Sequence, residues 1–274
     1  MPRHLDSFLH RLALEPAVLV SVGATQGSVP RETGCWMAVF ARGEVGTIGG
    51  GHLEWSALQQ ARAGLASGAA DAWTQVVALG PRLGQCCGGR LQLHFEPVGA
   101  ADTDALRERL WVCRQPVGLV GGGHVGRALV NALAPLPYAV RWIDSRDEAF
   151  PADVPAGVVT EHSDPVQAAV TDLPAGAHVL VMSFSHAEDL DVVAACLQRQ
   201  RERADLRFIG LIGSRTKWAT FRRRLADRGF TEAELALVTC PIGLPGITGK
   251  APEVIAASVV AQLLLFDAQH PPPA

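Results

Sequence analysis

The sequence predicts an α/β protein in two parts: a small mixed α/β N-terminal domain and a Rossmann-like, doubly wound C-terminal domain. Three observations predict it. From residue 116 onward, short apolar runs alternate with helical segments, the pattern of a parallel sheet built from βαβ units. At the head of that series, Gly121-Gly122-Gly123-His124-Val125-Gly126 satisfies G-x-G-x-x-G. It lies between a strand and a helix, and Asp144 ends the next strand about 20 residues on, where a ribose-binding carboxylate belongs. Residues 1–101, by contrast, hold strand-like runs separated by short turns. The 274 residues suffice for two ordinary domains. The boundaries read as 1–101 for the first domain, 102–115 for a connecting helix and 116–274 for the second.

Composition narrows the class. At 48% hydrophobic and 19% charged, with a net charge of −3, the chain reads as soluble and globular. Only Lys217 and Lys250 are lysines and no basic run stands out, so no nucleic-acid partner is expected. Arg222-Arg223-Arg224 reads as a solvated helix face. No secretory h-region and no apolar run of about 20 residues are visible, so no membrane partner is expected either. Six cysteines without a disulfide rhythm fit reduced thiols in the cytoplasm.

Taken in order, Asp6 to Glu15 reads as an amphipathic helix ended before Pro16. The apolar, β-branched run Ala17 to Ala24 reads as a buried strand. Thr25 to Gly34 is a polar loop broken by Gly27, Pro30 and Gly34. Its Arg31 is either an anion contact or a plain turn arginine. Cys35 to Ala41 and Val45 to Ile48 form a hairpin around Arg42-Gly43-Glu44. Gly49-Gly50-Gly51-His52 then leads into a helix over Leu53 to Ser67. A strand passing through glycines into a helix aims backbone N–H groups and a positive dipole end at one point, an arrangement suited to an anion. Trp73 to Leu79 and Leu91 to Val98 are strands that bracket Gly84-Gln85-Cys86-Cys87-Gly88-Gly89.

In the second half, Val117 to Val120 is a short buried strand and Arg127 to Leu133 a helix. Ala139 to Ile143 is the next strand, ending at Asp144. Val158 to Thr160 is a strand, Pro165 to Thr171 a helix, and His178 to Phe184 a central strand. Ser185-His186-Ala187-Glu188 opens a helix with capping-box spacing. Leu206 to Ile212 is a strand, followed by Gly213 to Trp218 and a helix to about Arg228. Leu235 to Thr239 closes the strand series and Ala251 to Phe266 is the last helix, whose apolar stretch from Val254 suits a homo-oligomer interface. Ligands of such sheets sit beyond the carboxyl ends of the strands. That edge collects His124, Asp144, His186 and the turn from Ser214 to Lys217, although a capping role for His186 and a solvated turn for Arg215 and Lys217 explain them equally well. The two Gly-Gly-Gly-His turns align Glu54 with Gly126 and share nothing further, so they read as coincidence.

The chemistry centres on Cys86 and Cys87. Adjacent thiols in a glycine-rich loop can approach one soft acceptor, and Gly88 and Gly89 let a ligand come close to the main chain. Zinc would need further ligands, such as Cys35, His52 or His94, brought in by the fold. The only tyrosine, Tyr138, has no lysine four residues on, which counts against a Tyr-Lys dehydrogenase. His124 or His186 keeps an NAD(P)-dependent redox enzyme as the alternative.

The motifs together resemble the XdhC/CoxI family of xanthine dehydrogenase accessory proteins. The resemblance rests on Gly46 to Glu54 (GTIGGGHLE), Gly84 to Gly89, Gly121 to Gly126, Phe208 to Trp218 (FIGLIGSRTKW), Pro241 to Ile247 (PIGLPGI) and Pro252 to Ser258 (PEVIAAS). It spans nearly the whole chain. Many relatives carry Thr-His where this chain has Ser185-His186, and many carry one cysteine where it has two. The family implies a chaperone, not an enzyme, that binds the molybdenum cofactor (molybdopterin) and shields it. It also implies sulfuration by a NifS-like cysteine desulfurase and delivery to apo xanthine dehydrogenase. Cofactor-binding residues carried over are Cys86 and Cys87, which contact the metal, with Gly49, Gly50, Gly51, His52, Gly88 and Gly89 around them. Gly121, Gly123, His124, Gly126 and Asp144 are expected to bind a nucleotide or part of the cofactor.

Overall fold

The computed structural model describes residues 2–79, 88–110 and 114–271. The chain divides into two compact units, Met1–Trp111 and Val112–Ala274. Cys86 and Cys87 lie outside the described residues.

The first unit is a five-stranded antiparallel sheet, ordered β3-β2-β1-β5-β4. Its strands are β1 (Ala17–Gln26), β2 (Trp36–Phe40), β3 (Glu44–Gly46), β4 (Trp73–Ala78) and β5 (Arg90–Val98). Strand side chains alternate between faces, and both faces of the inner strands are apolar. Val18, Val20 and Val22 meet Leu53, Ala57 and Ala61 of α2 (Gly51–Ser67). Ala17 and Leu19 point the other way, to a layer with Leu5, Phe8, Leu9 and Leu12 of α1 (Pro2–Leu12) and Leu106 of α3 (Thr103–Leu110). The i, i+3, i+4, i+7 spacing in α1 is the stripe that a core-facing helix needs.

Helix α3 is described over Thr103–Leu110 and packs within the first unit, while Gln115, read as the end of the connecting helix, lies in a strand. β6 (Gln115–Val120) already begins at Gln115, because a proline near the start of a strand costs no needed ladder bond. Helix α1 ends at Leu12, earlier than Glu15, and an Arg11–Glu15 ion pair at 2.6 Å closes the turn before Pro16.

The second unit is a six-stranded, all-parallel sheet ordered β11-β10-β9-β6-β7-β8. The remaining strands are β7 (Tyr138–Asp144), β8 (Val159–His162), β9 (His178–Val181), β10 (Phe208–Leu211) and β11 (Val238–Thr239). Chain order runs outward from β6 in both directions, so the switch point lies between β6 and β9. Helices cover both faces, as parallel sheets require. Leu129, Val130 and Leu133 of α4 (His124–Leu133) share one core with Ala256, Val259 and Leu263 of α8 (Pro252–Gln269). Leu190, Val193 and Leu197 of α5 (His186–Arg203) share the other with Phe221 and Leu225 of α6 (Arg215–Asp227).

By length and composition α8 is apolar enough to cross a membrane. In the structure its Asp267 is tied into the sheet by accepting bonds from Tyr138 Oη (2.8 Å) and His178 Nε2 (2.9 Å). Burial pushes the Tyr138 hydroxyl well above its ordinary range, and the Asp267 bond adds to that.

Two assignments change. The predicted strand over Leu235 to Thr239 is only two residues long, because Thr231 and Glu234 form a reciprocal capping box that makes Glu232–Leu235 a helical turn, α7. The predicted helix over Pro165 to Thr171 is a 3-10 helix, Val166–Asp172.

Candidate functional site

In the first unit, the loop after β1 is the common neighbour of two predicted elements. A Cβ on Gly49 would meet Pro30 Cβ at 2.8 Å and Arg31 Cγ at 3.4 Å. A Cβ on Gly27 would meet Gly89 Cα at 3.2 Å, and one on Gly89 would be driven into the Ser28 carbonyl. Gly27 is left-handed (φ +73°), so both glycines are dictated by close backbone approach. Residues 27–31 therefore touch the Gly49 turn on one side and the root of the cysteine-bearing β4–β5 connection on the other. Gly88 is exposed and Gly89 buried, and Gly89 O accepts from Leu79 N at 2.8 Å to close that root.

The Gly49–Gly51 turn needs correction as an anion site. The Glu54 carboxylate folds back and its Oε2 accepts from Thr47 Oγ1 (2.5 Å), Ile48 N (3.0 Å) and Gly50 N (3.1 Å). Gly49 N donates to Thr47 Oγ1 at 3.1 Å. The turn thus supplies its own anion, and the donors left at the helix end are those of residues 51–53. Gly49, Gly50 and Gly51 all have positive φ. His52 is exposed, its ring 5.5 Å from that of Trp55.

The positive charge beside this turn comes from the Arg31 side chain. Arg31 is half-buried and Arg90 exposed, and neither makes an ion pair with a described residue. Arg90 edges an open depression of about 410 Å³ that also involves Thr25, Gln26, Val76 and Gln92. Burial pushes the Cys35 thiol up, partly offset by Arg31. Among the described residues no three His, Cys, Asp or Glu side chains form a metal-sized group. His94 shares a bond with Thr74 (Nδ1 to Oγ1, 3.0 Å) and packs over Gly23.

In the second unit, Gly121-Gly122-Gly123 turns from β6 into α4. Gly121 has φ +128°, and a Cβ there would collide with the Met182 carbonyl. A Cβ on Gly126 would be driven into the Gly121 carbonyl oxygen. Gly123 faces open space, and His124 is exposed at the first position of α4. Asp144 is 2% exposed. Its Oδ2 accepts from Gly122 N (2.6 Å) and Arg146 Nη2 (3.1 Å), its Oδ1 from Arg146 N and Nε (both 2.9 Å). Burial alone would raise this carboxyl, but the bonds from Arg146 and Gly122 outweigh it and hold the pKa low.

Two contacts cross the end of β6, from the loop after β7 to the segment after β9. Arg146 lies over the Phe184 ring, 4.4 Å from its centroid, and Ser145 Oγ donates to Glu188 Oε1 at 2.7 Å. Glu188 therefore completes only half of the predicted capping box: its N–H reaches Ser185 Oγ (3.2 Å), but its carboxylate goes to Ser145. His186 is exposed, ring-edge to Phe221 at 6.3 Å.

Lys217 is not a solvated turn residue, although Arg215 is exposed. Lys217 Nζ donates to buried Asp189 Oδ2 (2.5 Å) and to the Ile212 carbonyl (2.8 Å). Asp189 Oδ1 accepts from Ser183 N and Oγ, so this pair clamps the segment that carries Phe184. Sequence reading missed Glu54, Arg146, Phe184 and Glu188 as site residues. Arg146 had a signal, since it stands two residues after the fingerprint acid; Phe184 and Glu188 depend on the sheet order.

Fold and site define a two-unit α/β chain, one unit antiparallel with a glycine turn and the other a parallel Rossmann unit. The XdhC Rossmann domain matches residues 117–263, and the XdhC and CoxI family matches residues 11–76. The chain belongs to the XdhC family. The protein YqeB of Escherichia coli strain K12 is 27% identical over 263 residues, covering 91% of this chain and 43% of YqeB. The chain thus spans less than half the length of that relative. A structure solved as a xanthine dehydrogenase from Bacillus halodurans matches 97% of this chain and 96% of its own at 19% identity and TM-score 0.78, a likeness of fold.

Proposed function

We propose that this chain serves the maturation of xanthine dehydrogenase in the cytoplasm. It binds the molybdenum cofactor through its first unit, shields it while a NifS-like cysteine desulfurase provides sulfur, and hands it to apo xanthine dehydrogenase. Membership of the XdhC family supports the tie to xanthine dehydrogenase. The observation that carries the finer reading is the loop 27–31, which joins the Gly49 turn to the root of the β4–β5 connection and places Arg31 there without an acidic partner among the described residues.

The donor set fits a phosphate-bearing cofactor with a soft metal centre. Arg31 and the N–H groups of residues 51–53 suit the phosphate. The thiols of Cys86 and Cys87 suit molybdenum, which supplies the redox chemistry when bound. Exposed Val254, Leu264 and Leu265 of α8 support a homo-oligomer.

Purified cofactor, apo xanthine dehydrogenase and this protein, mixed anaerobically, test the reading. Replacing both cysteines (Cys86→Ala with Cys87→Ala) should cut activation at least about tenfold, the equivalent of about 1.4 kcal/mol. The pterin fluorescence recovered from the protein after oxidation should fall with it. Full activation and full pterin retention by the double variant would sink the proposal.

The glycine turn at the switch point of the parallel sheet supports a nucleotide in the second unit. A dehydrogenase is less well supported, since the Tyr138 hydroxyl is spent on Asp267.

A further inference from the structure

We infer that the crevice at the end of β6 takes an adenine dinucleotide with a free ribose 2′-hydroxyl, accepted by Glu188 and not by Asp144. The inference rests on the nucleotide reading of the second unit.

Counting acceptor sites removes Asp144. A carboxylate offers about four lone-pair positions, and Gly122 N with three donors of Arg146 fills them in a side chain only 2% exposed. A ribose hydroxyl finds no acceptor there. Asp144 is a bolt that ties the glycine turn to the loop after β7.

Glu188 is in the opposite condition. Its Oε1 is taken by Ser145, while Oε2 is buried and has no hydrogen-bond partner among the described residues. Buried polar atoms are seldom left so, and an orphan needs an explanation. Its place supplies one. Glu188 belongs to the first turn of α5, after β9, and its partner Ser145 follows β7, with β6 between them. The carboxylate thus spans the switch point where α/β sheets hold their ligands. A ligand hydroxyl donates what Oε2 lacks.

The surroundings complete a nucleotide site. Phe184 is 67% exposed: the Arg146 guanidinium lies over one face of its ring, and the other face is left for a base. Gly123, open to solvent, and the N-terminus of α4 suit the pyrophosphate. The charge selects against a second phosphate on the ribose. Arg146 is neutralised by Asp144, which leaves Asp147, Glu148 and Glu188 nearby, with His162 at 3.3 Å from Asp147. A 2′-phosphate would enter an acidic neighbourhood.

Titrating the full chain with NADH and with NADPH, read by quenching of tryptophan fluorescence, tests this. Trp142 lies under the turn, donating to the Gly121 carbonyl at 2.9 Å. NADH should saturate and NADPH should bind at least about tenfold more weakly. Glu188→Gln removes one negative charge and one acceptor, so NADH should weaken about tenfold and the preference should shrink toward parity. A merely structural role for Glu188 would not move that ratio. Equal or tighter binding of NADPH by the wild type overturns the inference, as does an unchanged NADH affinity and ratio in Glu188→Gln; both leave a nucleotide site standing. Saturation by neither dinucleotide overturns the nucleotide reading itself.

Discussion

The two Gly-Gly-Gly-His turns, Gly49–His52 and Gly121–His124, share a sequence and a strand-to-helix setting but solve the same electrostatic problem differently. In the first, the anion is local: Glu54, five residues after Gly49, reaches back to two turn N–H groups. In the second, the anion comes from the next strand, where Asp144 bonds Gly122 N. At the position aligned with Glu54 stands Gly126, against which the turn's own carbonyl closes. The backbones differ accordingly, since all three glycines of the first turn have positive φ and only Gly121 does in the second. The lesson is that residue 54 or 126 decides what the turn can do. A carboxylate there closes the turn on itself, while a glycine lets the helix pack tightly and leaves Gly123 open.

The largest effect expected from this difference is at Gly126. Gly126→Ala drives a methyl group into the Gly121 carbonyl, an overpacking for which backbone must move. It should destabilise the second unit by about 3 kcal/mol, at the top of the usual range for overpacking. Urea unfolding followed separately for the two units reads this, since a chain of two units need not unfold in one step. An unchanged midpoint would mean that the close approach is not required and that the turns are interchangeable. The aligned change in the first turn, Glu54→Ala, leaves the Ile48 and Gly50 N–H groups without their acceptor. It should cost the first unit about 2 kcal/mol. Glu54→Gln, which keeps one acceptor oxygen, should lose less. Equal losses for the two variants would break the assignment of Glu54 as the internal anion.

Much of this was legible in the sequence, for physical reasons. The central strands β6, β9 and β10 announce themselves as apolar runs, because strands buried on both faces cannot alternate, whereas edge strand β8 (VTEH) is largely exposed. The Gly121 fingerprint marks the ligand-binding edge of the sheet, while the switch point itself follows from the strand order. What the sequence hid were pairings made across elements. Nothing local says that Lys217 will find Asp189, 28 residues away, or that Ser145 will find Glu188, 43 residues away. Glu54 was readable in principle, since an acid in the first turn of a helix favours its N-terminal donors, yet the glycines drew attention to an outside ligand. The capping box Thr231-Glu-Ala-Glu234 went unread, and Leu235, which it draws into a helical turn, was read as the start of a strand because Leu235 to Thr239 is apolar. For Cys86 and Cys87 the sequence alone speaks.

The smallest effect separates the turns by pH. Burial pushes the Asp144 carboxyl up, but bonds from Arg146 and Gly122 push it down further, so its folded pKa lies below the ordinary carboxylate value. A group with a depressed folded pKa stabilises fully above its unfolded pKa, about 3.9, and that contribution is lost as pH falls through the folded value. The share due to Asp144 should therefore be level from pH 8 to about pH 5 and decline below about pH 4. In Asp144→Asn that share is absent: the urea midpoint of the second unit should start lower at pH 7 and lose less between pH 5 and pH 3 than the wild type does. The first unit should be indifferent to the substitution, since its turn is closed by Glu54. An acid limb of the second unit equally steep in Asp144→Asn and wild type would show that the bolt on the second turn does not depend on the charge of Asp144.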